Sequence, residues 1–249
     1  MSALKMLENR LEIDIGNTFC KWRVMHSESI VARGKLLTND LLSTQLADIK
    51  IDDYYNKSET ALCTKFNNNL NTCPDARDPA VLVDIPIHQA SVCSVAIAEC
   101  NDHLENQIKS AWGLQAKFFE TQAKASGLTN SYSDPSKMGA DRWLASIAAK
   151  HLYPGQMLCI ADCGSAINIE FLSAKAEHLG GYIVPGLGLM AQSLLQNTAR
   201  VTQTKPEADL KLGNDTASNV ANGSLFAAVA LLEKLQREMQ ACSGLLVIT

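Results

Sequence analysis

The stretch that decides the fold is RLEIDIGNTFCKWRV, residues 10–24. Apolar and polar residues alternate in RLEIDI (10–15), a pattern typical of a strand with one buried face. The alternation breaks at Gly16 and Asn17, and an extended pattern resumes in FCKWRVM (19–25). The stretch therefore predicts a strand, a tight turn and a second strand.

The same arrangement recurs in MLCIADCGSAINIEFL, residues 157–172. DIGNT (14–18) and DCGSA (162–166) each join two apolar extended stretches, and they lie 162 − 14 = 148 residues apart. Between them, a strand in SVCSVAI (91–97) is followed by helical spacing and a further short strand. Strand, helix and strand in this order indicate an α/β layer. The repeat predicts a duplicated α/β fold with two facing turns.

The remaining elements are less regular. Helical spacing of Leu104, Ile108 and Ala111 or Trp112 predicts a helix that ends at Gly113, and LMAQSLLQNTARV (189–201) predicts another. A long helix is predicted to begin at an Asp215/Thr216 cap. Its predicted apolar face contains Val220, Ser224, Ala227 and Leu231. The polar segment of about 52–80 is predicted to be a surface loop or insertion, and the chain ends in a strand, GLLVIT (244–249).

Composition narrows the class of protein. The formal net charge is −4 and the sequence pI about 5.7, so there is no basic patch to suggest a nucleic-acid or anionic-membrane partner. The eight cysteines form no C-x-x-C pair, which favours buried free thiols. No apolar run approaches the ~20 residues of a membrane span, and the N-terminus lacks a signal-peptide core. We expect a cytoplasmic protein that binds small molecules or proteins.

Each Asp-x-Gly turn offers backbone N–H donors, a hydroxyl or amide, and a carboxylate for a cation. Lys21, three residues beyond Thr18, adds positive charge. This set of groups suits phosphate, although Asp-Gly turns also join strands without any function, and either turn alone leaves both interpretations open. P-loop, Rossmann and protein-kinase motifs are absent from the sequence. The five histidines show no metal-ligand spacing, which favours surface or partly satisfied side chains.

An acid and a base stand side by side in GADR, residues 139–142. Neighbours in a helix point about 100° apart, so Asp141 and Arg142 address different groups. Asp141 could act as a general base and Arg142 as a bidentate clamp for an anion. The alternative is an ordinary helix start, in which Asp141 interacts with the helix dipole and Arg142 is solvated. On spacing alone the alternative is favoured.

Together, DIGNT, GADRW, DCGSA and GGYIVPG, in this order, closely resemble the motifs of the type III pantothenate kinases. The resemblance runs from about Leu11 to the end of the chain, apart from the polar insertion. It implies two actin-like, ribonuclease H-like α/β domains with ATP in a cleft between them, at 1–135 and 136–249. It also implies ATP-dependent phosphorylation of pantothenate, with Mg²⁺ and with K⁺ or NH₄⁺ as cofactors.

By the same resemblance, Asp141 is the catalytic base, Asp14 holds the metal of Mg-ATP and Asp162 binds the monovalent cation. The residues implied to bind ATP are Asp14, Ile15, Gly16, Asn17, Thr18, Lys21, Gly164, Ser165, Gly180, Gly181 and Pro185. The residues implied to bind pantothenate are Tyr132, Gly139, Ala140, Asp141, Arg142 and Thr216.

The resemblance further implies a homodimer in which the partner subunit completes the pantothenate site. Three features depart from the family pattern: Ser165 replaces the usual Thr, the polar insertion is unusual, and relatives continue beyond LLVIT (245–249) into a Gly-Gly turn and a last helix near the adenosine. A non-enzymatic regulator on the same fold, or a kinase for another small hydroxy-carboxylate, remains an alternative.

Overall fold

A computed structural model describes residues 8–49, 82–197 and 207–249. The chain forms two compact units, Met1–Glu120 and Thr121–Thr249. This division falls earlier than the predicted boundary after residue 135. The physical reason is that residues after Glu120 bond within the second unit: the Thr121 hydroxyl donates to the Met138 carbonyl, at 2.9 Å, and Thr129 forms a bridge with Glu177. The predicted insertion at 52–80 lies outside the described residues.

The first unit is built on a five-stranded sheet in the order β3-β2-β1-β4-β5. β1, β2 and β3 are antiparallel, whereas β4 and β5 run parallel to β1. The predicted strand, turn and strand at 10–24 are confirmed, and β3 is a strand that the sequence did not predict. The strands are Asn9–Ile15 (β1), Phe19–His26 (β2), Ser29–Leu37 (β3), Gln89–Ser94 (β4) and Lys117–Phe118 (β5).

The second unit contains a four-stranded sheet in the order β10-β9-β8-β11. β8, β9 and β10 are antiparallel and β11 runs parallel to β8, so its pattern repeats β3-β2-β1-β4 strand for strand. This shared topology confirms the duplicated α/β fold. The strands are Leu158–Cys163 (β8), Ala166–Leu172 (β9), His178–Pro185 (β10) and Leu245–Ile248 (β11), with a separate hairpin of Lys124–Ala125 (β6) and Leu128–Thr129 (β7).

Four α-helices are described: Ala98–Trp112 (α1), Ala140–Leu152 (α2), Leu187–Asn197 (α3) and Thr216–Ala241 (α4). α1 ends at Gly113 in the left-handed conformation (φ 68°), as its sequence predicts. The Asp215 side chain caps α4 by accepting from the Ser218 N–H.

The buried face of α4 differs from the prediction. Ala228 is buried and Ala227 is exposed, because the core side of the helix also contains Leu235 and Met239. These side chains pack with Cys159, Ala161, Ile167 and Ile169 of the sheet. One face of the second sheet is thereby covered by α4, and α2 also packs on β8 and β9.

The cysteines partly follow the prediction of buried free thiols. Cys20, Cys100 and Cys159 are buried and unpaired, but Cys163 and Cys242 are exposed. Burial, with a smaller contribution from nearby carboxylates, raises the pKa of both Cys20 and Cys159 to about 12, so these thiols are protonated at neutral pH. Among the described helices, none is long and apolar enough to cross a membrane.

Candidate active site

The first turn, residues 16–19, connects β1 to β2. Asp14 lies at the exposed end of β1, directly opposite Lys21 on β2 in the antiparallel register. Lys21 therefore lies beside Asp14, because opposite residues on antiparallel strands have Cβ atoms ~5 Å apart. A carboxylate and an ammonium group thus flank a turn whose Gly16, Asn17 and Thr18 offer backbone and side-chain donors.

Thr38, which the sequence did not single out, braces this turn. Its hydroxyl donates to the Gly16 carbonyl at 2.7 Å, and its N–H donates to the Thr18 carbonyl at 2.9 Å. Thr38 is buried, and it follows directly after β3. The contact spans 22 residues of sequence, so only the folded sheet brings these groups together.

The second turn, residues 164–166, connects β8 to β9. Gly164 and Ser165 are exposed at its tip, and Asp162 is half-buried at the end of β8. The Asp162 carboxylate accepts from the Thr249 hydroxyl at 3.2 Å, and the Cys163 N–H donates to the Thr249 carbonyl. Thr249, the residue that follows β11, therefore contributes a second oxygen beside Asp162.

The nucleotide-side residues proposed on β10 separate into two places. Pro185 pairs with Ala166, next to the second turn, and the Gly186 N–H donates to the Ser165 carbonyl at 2.9 Å. Gly180 and Gly181 lie at the opposite end of β10, where Gly181 pairs with Glu170. Pro185 and Gly186 therefore lie beside the second turn, whereas Gly180 and Gly181 lie towards the other end of β10, near Glu170.

Asp141 lies in the first turn of α2, after the N-cap residue Gly139. One carboxylate oxygen, Oδ1, accepts from the backbone N–H of Arg142 at 2.8 Å. No hydrogen bond within the described ranges reaches the other oxygen, and the side chain is half-buried. Asp141 therefore does serve the helix start, as the alternative interpretation expects, while one oxygen remains available to accept a proton.

The side chain of Arg142 points to a different set of groups, as the helical spacing predicts. Its Nε donates to Glu170 Oε1 at 2.5 Å, and its Nη1 donates to the hydroxyl of Tyr132 at 3.3 Å. The guanidinium carbon also lies 5.8 Å from the centre of the Tyr132 ring. Tyr132 therefore contacts the side chain of Arg142, at the end of the Gly139–Arg142 turn.

Burial lowers the pKa of Arg142, but its hydrogen bond and attraction to Glu170 more than offset this, so the pKa is raised above its usual value. Arg142 is therefore a permanent cation. Because Glu170 occupies its Nε edge, a clamp on a ligand carboxylate is restricted to the two Nη groups, one of which is shared with Tyr132.

Glu170 and His178 complete this cluster, and the sequence did not identify either. His178 Nε2 lies 2.8 Å from Glu170 Oε2, and His178 Nδ1 lies 2.9 Å from the Ser131 hydroxyl. The expectation that every histidine is at the surface or partly satisfied is wrong for His178, whose side chain is fully buried. An acid at position 170 inside the apolar strand AINIEFL was the available signal.

Thr216 begins α4 and is exposed. No hydrogen bond joins it to the Gly139–Arg142 turn in the part of the chain that the structure describes. The role of Thr216 as a substrate contact therefore stays a prediction.

The oxygen groups at both turns are compatible with cations. Within the described residues, no three His, Cys, Asp or Glu side chains converge on one point to hold a metal. Mg²⁺ at phosphate sites is held by one or two carboxylates together with the phosphate oxygens, so a single aspartate could be its protein ligand. Asp162 and Thr249 supply a carboxylate and a hydroxyl, the hard oxygen donors that alkali cations prefer.

Comparison with known proteins identifies the family to which this chain belongs. The two sheets of matching topology, each with an Asp-x-Gly turn between its first two strands, define a duplicated α/β fold. The family model of type III pantothenate kinases matches residues 10–238. The chain belongs to the type III pantothenate kinase family.

Two relatives with the family's name are similar to this chain, and one solved structure with another description is also similar to it. A type III pantothenate kinase of Pseudomonas putida is 32% identical over 221 residues, which cover 87% of this chain and 76% of that protein. One of Nitrosococcus oceani is 32% identical over 158 residues, which cover 61% of this chain and 59% of that protein. A Campylobacter jejuni structure described as a Baf family transcriptional activator has 20% identity and a TM-score of 0.46, and the match covers 90% of this chain and 77% of that one.

Gly186 gives a direct test of how the second turn is packed. A Cβ at this position would overlap the Gly164 carbonyl oxygen and lie 2.6 Å from the Ser165 carbonyl oxygen. We expect Gly186→Ala to lower the free energy of unfolding by about 1–3 kcal/mol, because backbone atoms must shift. The matched control is Gly188→Ala, since no described atom lies within 4 Å of its new Cβ. Denaturant unfolding of both variants measures the difference, and equal stabilities would contradict this packing.

Proposed function

We propose that this chain catalyses the ATP-dependent phosphorylation of pantothenate to 4'-phosphopantothenate, the first step of coenzyme A biosynthesis. The observation that carries the proposal is the Gly139–Arg142 turn, in a chain of this family, with one Asp141 oxygen available beside a permanent cation. A primary hydroxyl and a carboxylate are the two groups of pantothenate that this pair would address.

Asp141 is the general base in this proposal. A primary alcohol is a poor nucleophile at neutral pH, so a fixed carboxylate oxygen that accepts its proton during attack assists the transfer. The hydrogen bond from the Arg142 N–H to Oδ1 restricts the orientation of the carboxylate and leaves Oδ2 to accept the proton. Most of the rate enhancement in phosphoryl transfer comes from alignment and charge stabilisation, to which Asp141 adds the proton transfer.

The two turns would bind the phosphates. Lys21 supplies a positive charge opposite Asp14, and the Gly16–Thr18 and Gly164–Ser165 segments supply backbone N–H and hydroxyl donors. Asp14 is the carboxylate that would hold Mg²⁺ of Mg-ATP, and the ion would neutralise charge on the transferred phosphoryl group. The contacts of Thr38 and Gly186 keep both turns in a fixed shape.

The test is ADP release by the purified protein with Mg-ATP and K⁺, with and without pantothenate. We expect turnover that depends on pantothenate, and Asp141→Asn is expected to lower kcat by about 10²–10⁴-fold with intact folding. Glu99→Gln is the matched control, because Glu99 is the first-turn acid of α1 and should affect only its own helix. Near-normal turnover by Asp141→Asn would eliminate the general-base role, and a folded wild-type protein without turnover would overturn the proposed function.

We further propose that Asp162 binds a monovalent cation, K⁺ or NH₄⁺. The support is the half-buried carboxylate with the Thr249 hydroxyl 3.2 Å away. We expect turnover to be several-fold faster in K⁺ than in Na⁺, and Asp162→Asn to bring that ratio to about one, because a neutral amide binds cations weakly. Asp102→Asn, an exposed acid outside the turns, should retain the wild-type ratio. A persistent K⁺ preference in Asp162→Asn would place the cation elsewhere.

We also propose that the chain works as a homodimer with a shared pantothenate site, to which Thr216 contributes. Large apolar side chains are exposed on β10, α3 and α4, namely Leu179, Tyr182, Ile183, Leu187, Leu189, Leu194 and Phe226. Exposed apolar side chains in this number are typical of an interface.

Sedimentation velocity tests the dimer. We expect Phe226→Asp, at a side chain 65% exposed on α4, to weaken the dimer at least tenfold, since a charge would be buried without a partner. Leu152→Asp is the control, because Leu152 is 68% exposed on α2. A monomeric wild-type protein, or equal effects of the two variants, would argue against this interface.

The proposed location is the cytoplasm, where thiols such as Cys20 and Cys159 remain reduced. Cell fractionation followed by detection of the protein is the corresponding measurement, and its recovery in another compartment would contradict the proposal.

A further inference from the structure

Glu170 is a buried acid of the second unit whose carboxylate contacts two other side chains. It lies on β9, and its side chain is only 3% exposed. Its two carboxylate oxygens contact different partners: Oε1 accepts from Arg142 Nε and Oε2 lies 2.8 Å from His178 Nε2. One carboxylate therefore ties β9 to the start of α2 and to the start of β10.

The hydrogen bonds of this cluster have a definite direction. Arg142 can only donate, so Glu170 accepts through Oε1. A carboxylate has no proton to give, so His178 Nε2 must be the donor to Oε2. In a neutral imidazole, Nδ1 is then the acceptor, and the Ser131 hydroxyl donates to it across 2.9 Å. When the imidazole is neutral, Glu170 thus fixes the tautomer of His178 and, through it, the orientation of the Ser131 hydroxyl.

The backbone opposite Glu170 leaves room for the carboxylate. Gly181 pairs with Glu170 across the strands, and a Cβ on Gly181 would lie 2.8 Å from Glu170 Oε2. The T-shaped contact between the rings of Trp143 and His178, with centres 6.4 Å apart, closes the cluster on another side. These contacts hold the carboxylate in one position.

Arg142 keeps unused donors outside this cluster. It has five N–H groups, and its hydrogen bonds to described residues use Nε and Nη1 only. The Nη2 group is therefore available to a ligand, and its direction is set by the Nε contact because the guanidinium is planar and rigid.

We propose that Glu170 is a positioning residue for pantothenate binding. It orients the Arg142 guanidinium towards the substrate carboxylate. Through His178, it also orients the Ser131 hydroxyl at the other end of the same chain of hydrogen bonds. The proposal rests on the proposed function, and it assigns Glu170 no contact with the substrate. Glu170 acts by removing the rotational freedom of Arg142 before pantothenate arrives, which lowers the entropy lost on binding.

The test compares Glu170→Gln with the wild-type chain in steady-state kinetics and in calorimetric titration with pantothenate. The amide keeps the size of the side chain but presents an NH₂ group to one of two donors, so the network loses a bond. We expect the KM and the Kd for pantothenate to rise about tenfold or more, with the KM for ATP within about twofold of wild type. Glu238→Gln, which breaks an exposed pair with Lys234 on α4, is the matched control and should change neither value.

A double-variant comparison separates positioning from general stability. If Glu170 acts through Arg142, then adding Glu170→Gln to Arg142→Lys should raise the KM for pantothenate little beyond Arg142→Lys alone. A purely structural role predicts instead that the two substitutions multiply, and that the KM for ATP and the melting temperature change together with the KM for pantothenate. Either of those results would overturn the proposal.

Two further outcomes are informative. Should Glu170→Gln fail to fold, Glu170→Asp keeps the charge but shortens the reach, and an unchanged KM for pantothenate in that variant would overturn the proposal. A wild-type chain that neither binds nor phosphorylates pantothenate would overturn the proposed function, and this inference with it. Normal wild-type activity with unchanged Glu170 variants would overturn this inference alone.

Discussion

A buried carboxylate must be paired, and this constraint organises the second unit around Glu170. Leaving the charge unpaired inside the protein would cost several kcal/mol, so Arg142 and His178 must stay in contact with it. These partners come from the start of α2 and the start of β10, two segments that are distant in sequence. The pairing of this acid therefore holds the first turn of α2, which also contains Asp141, against β9.

The two units share one sheet topology but differ in the side chains at their turns. Each sheet places a turn between its first two antiparallel strands, with a parallel strand beside the first. The position opposite the turn's aspartate is Lys21 in the first unit and Asn168 in the second. The first turn therefore carries an added positive charge, whereas the second combines Asp162 with a hydroxyl. The two turns thus share a backbone arrangement but differ in the charged and polar side chains beside them.

The neighbours Asp141 and Arg142 show how a local feature can have two roles. Asp141 does accept the free N–H at the helix start, and this stabilises α2 in the ordinary way. It uses only one oxygen for this, and Arg142 points into the cluster of Glu170 and Tyr132 rather than into solvent. A role of Asp141 at the helix start is therefore compatible with a catalytic role, because the two roles use different oxygen atoms of its carboxylate.

The sequence by itself determined the two strand-turn-strand segments, the ends of α1 and α4 and the residues of the four motifs, because these depend on local periodicity, turn residues and caps. It did not reveal Thr38, Glu170 or His178, since each acts on residues brought near by strand pairing. The antiparallel register of β9 and β10 pairs Gly181 with Glu170 and Pro185 with Ala166, and no local sequence pattern specified that register. Long-range register is a property of the whole sheet, and only the tertiary structure decided it.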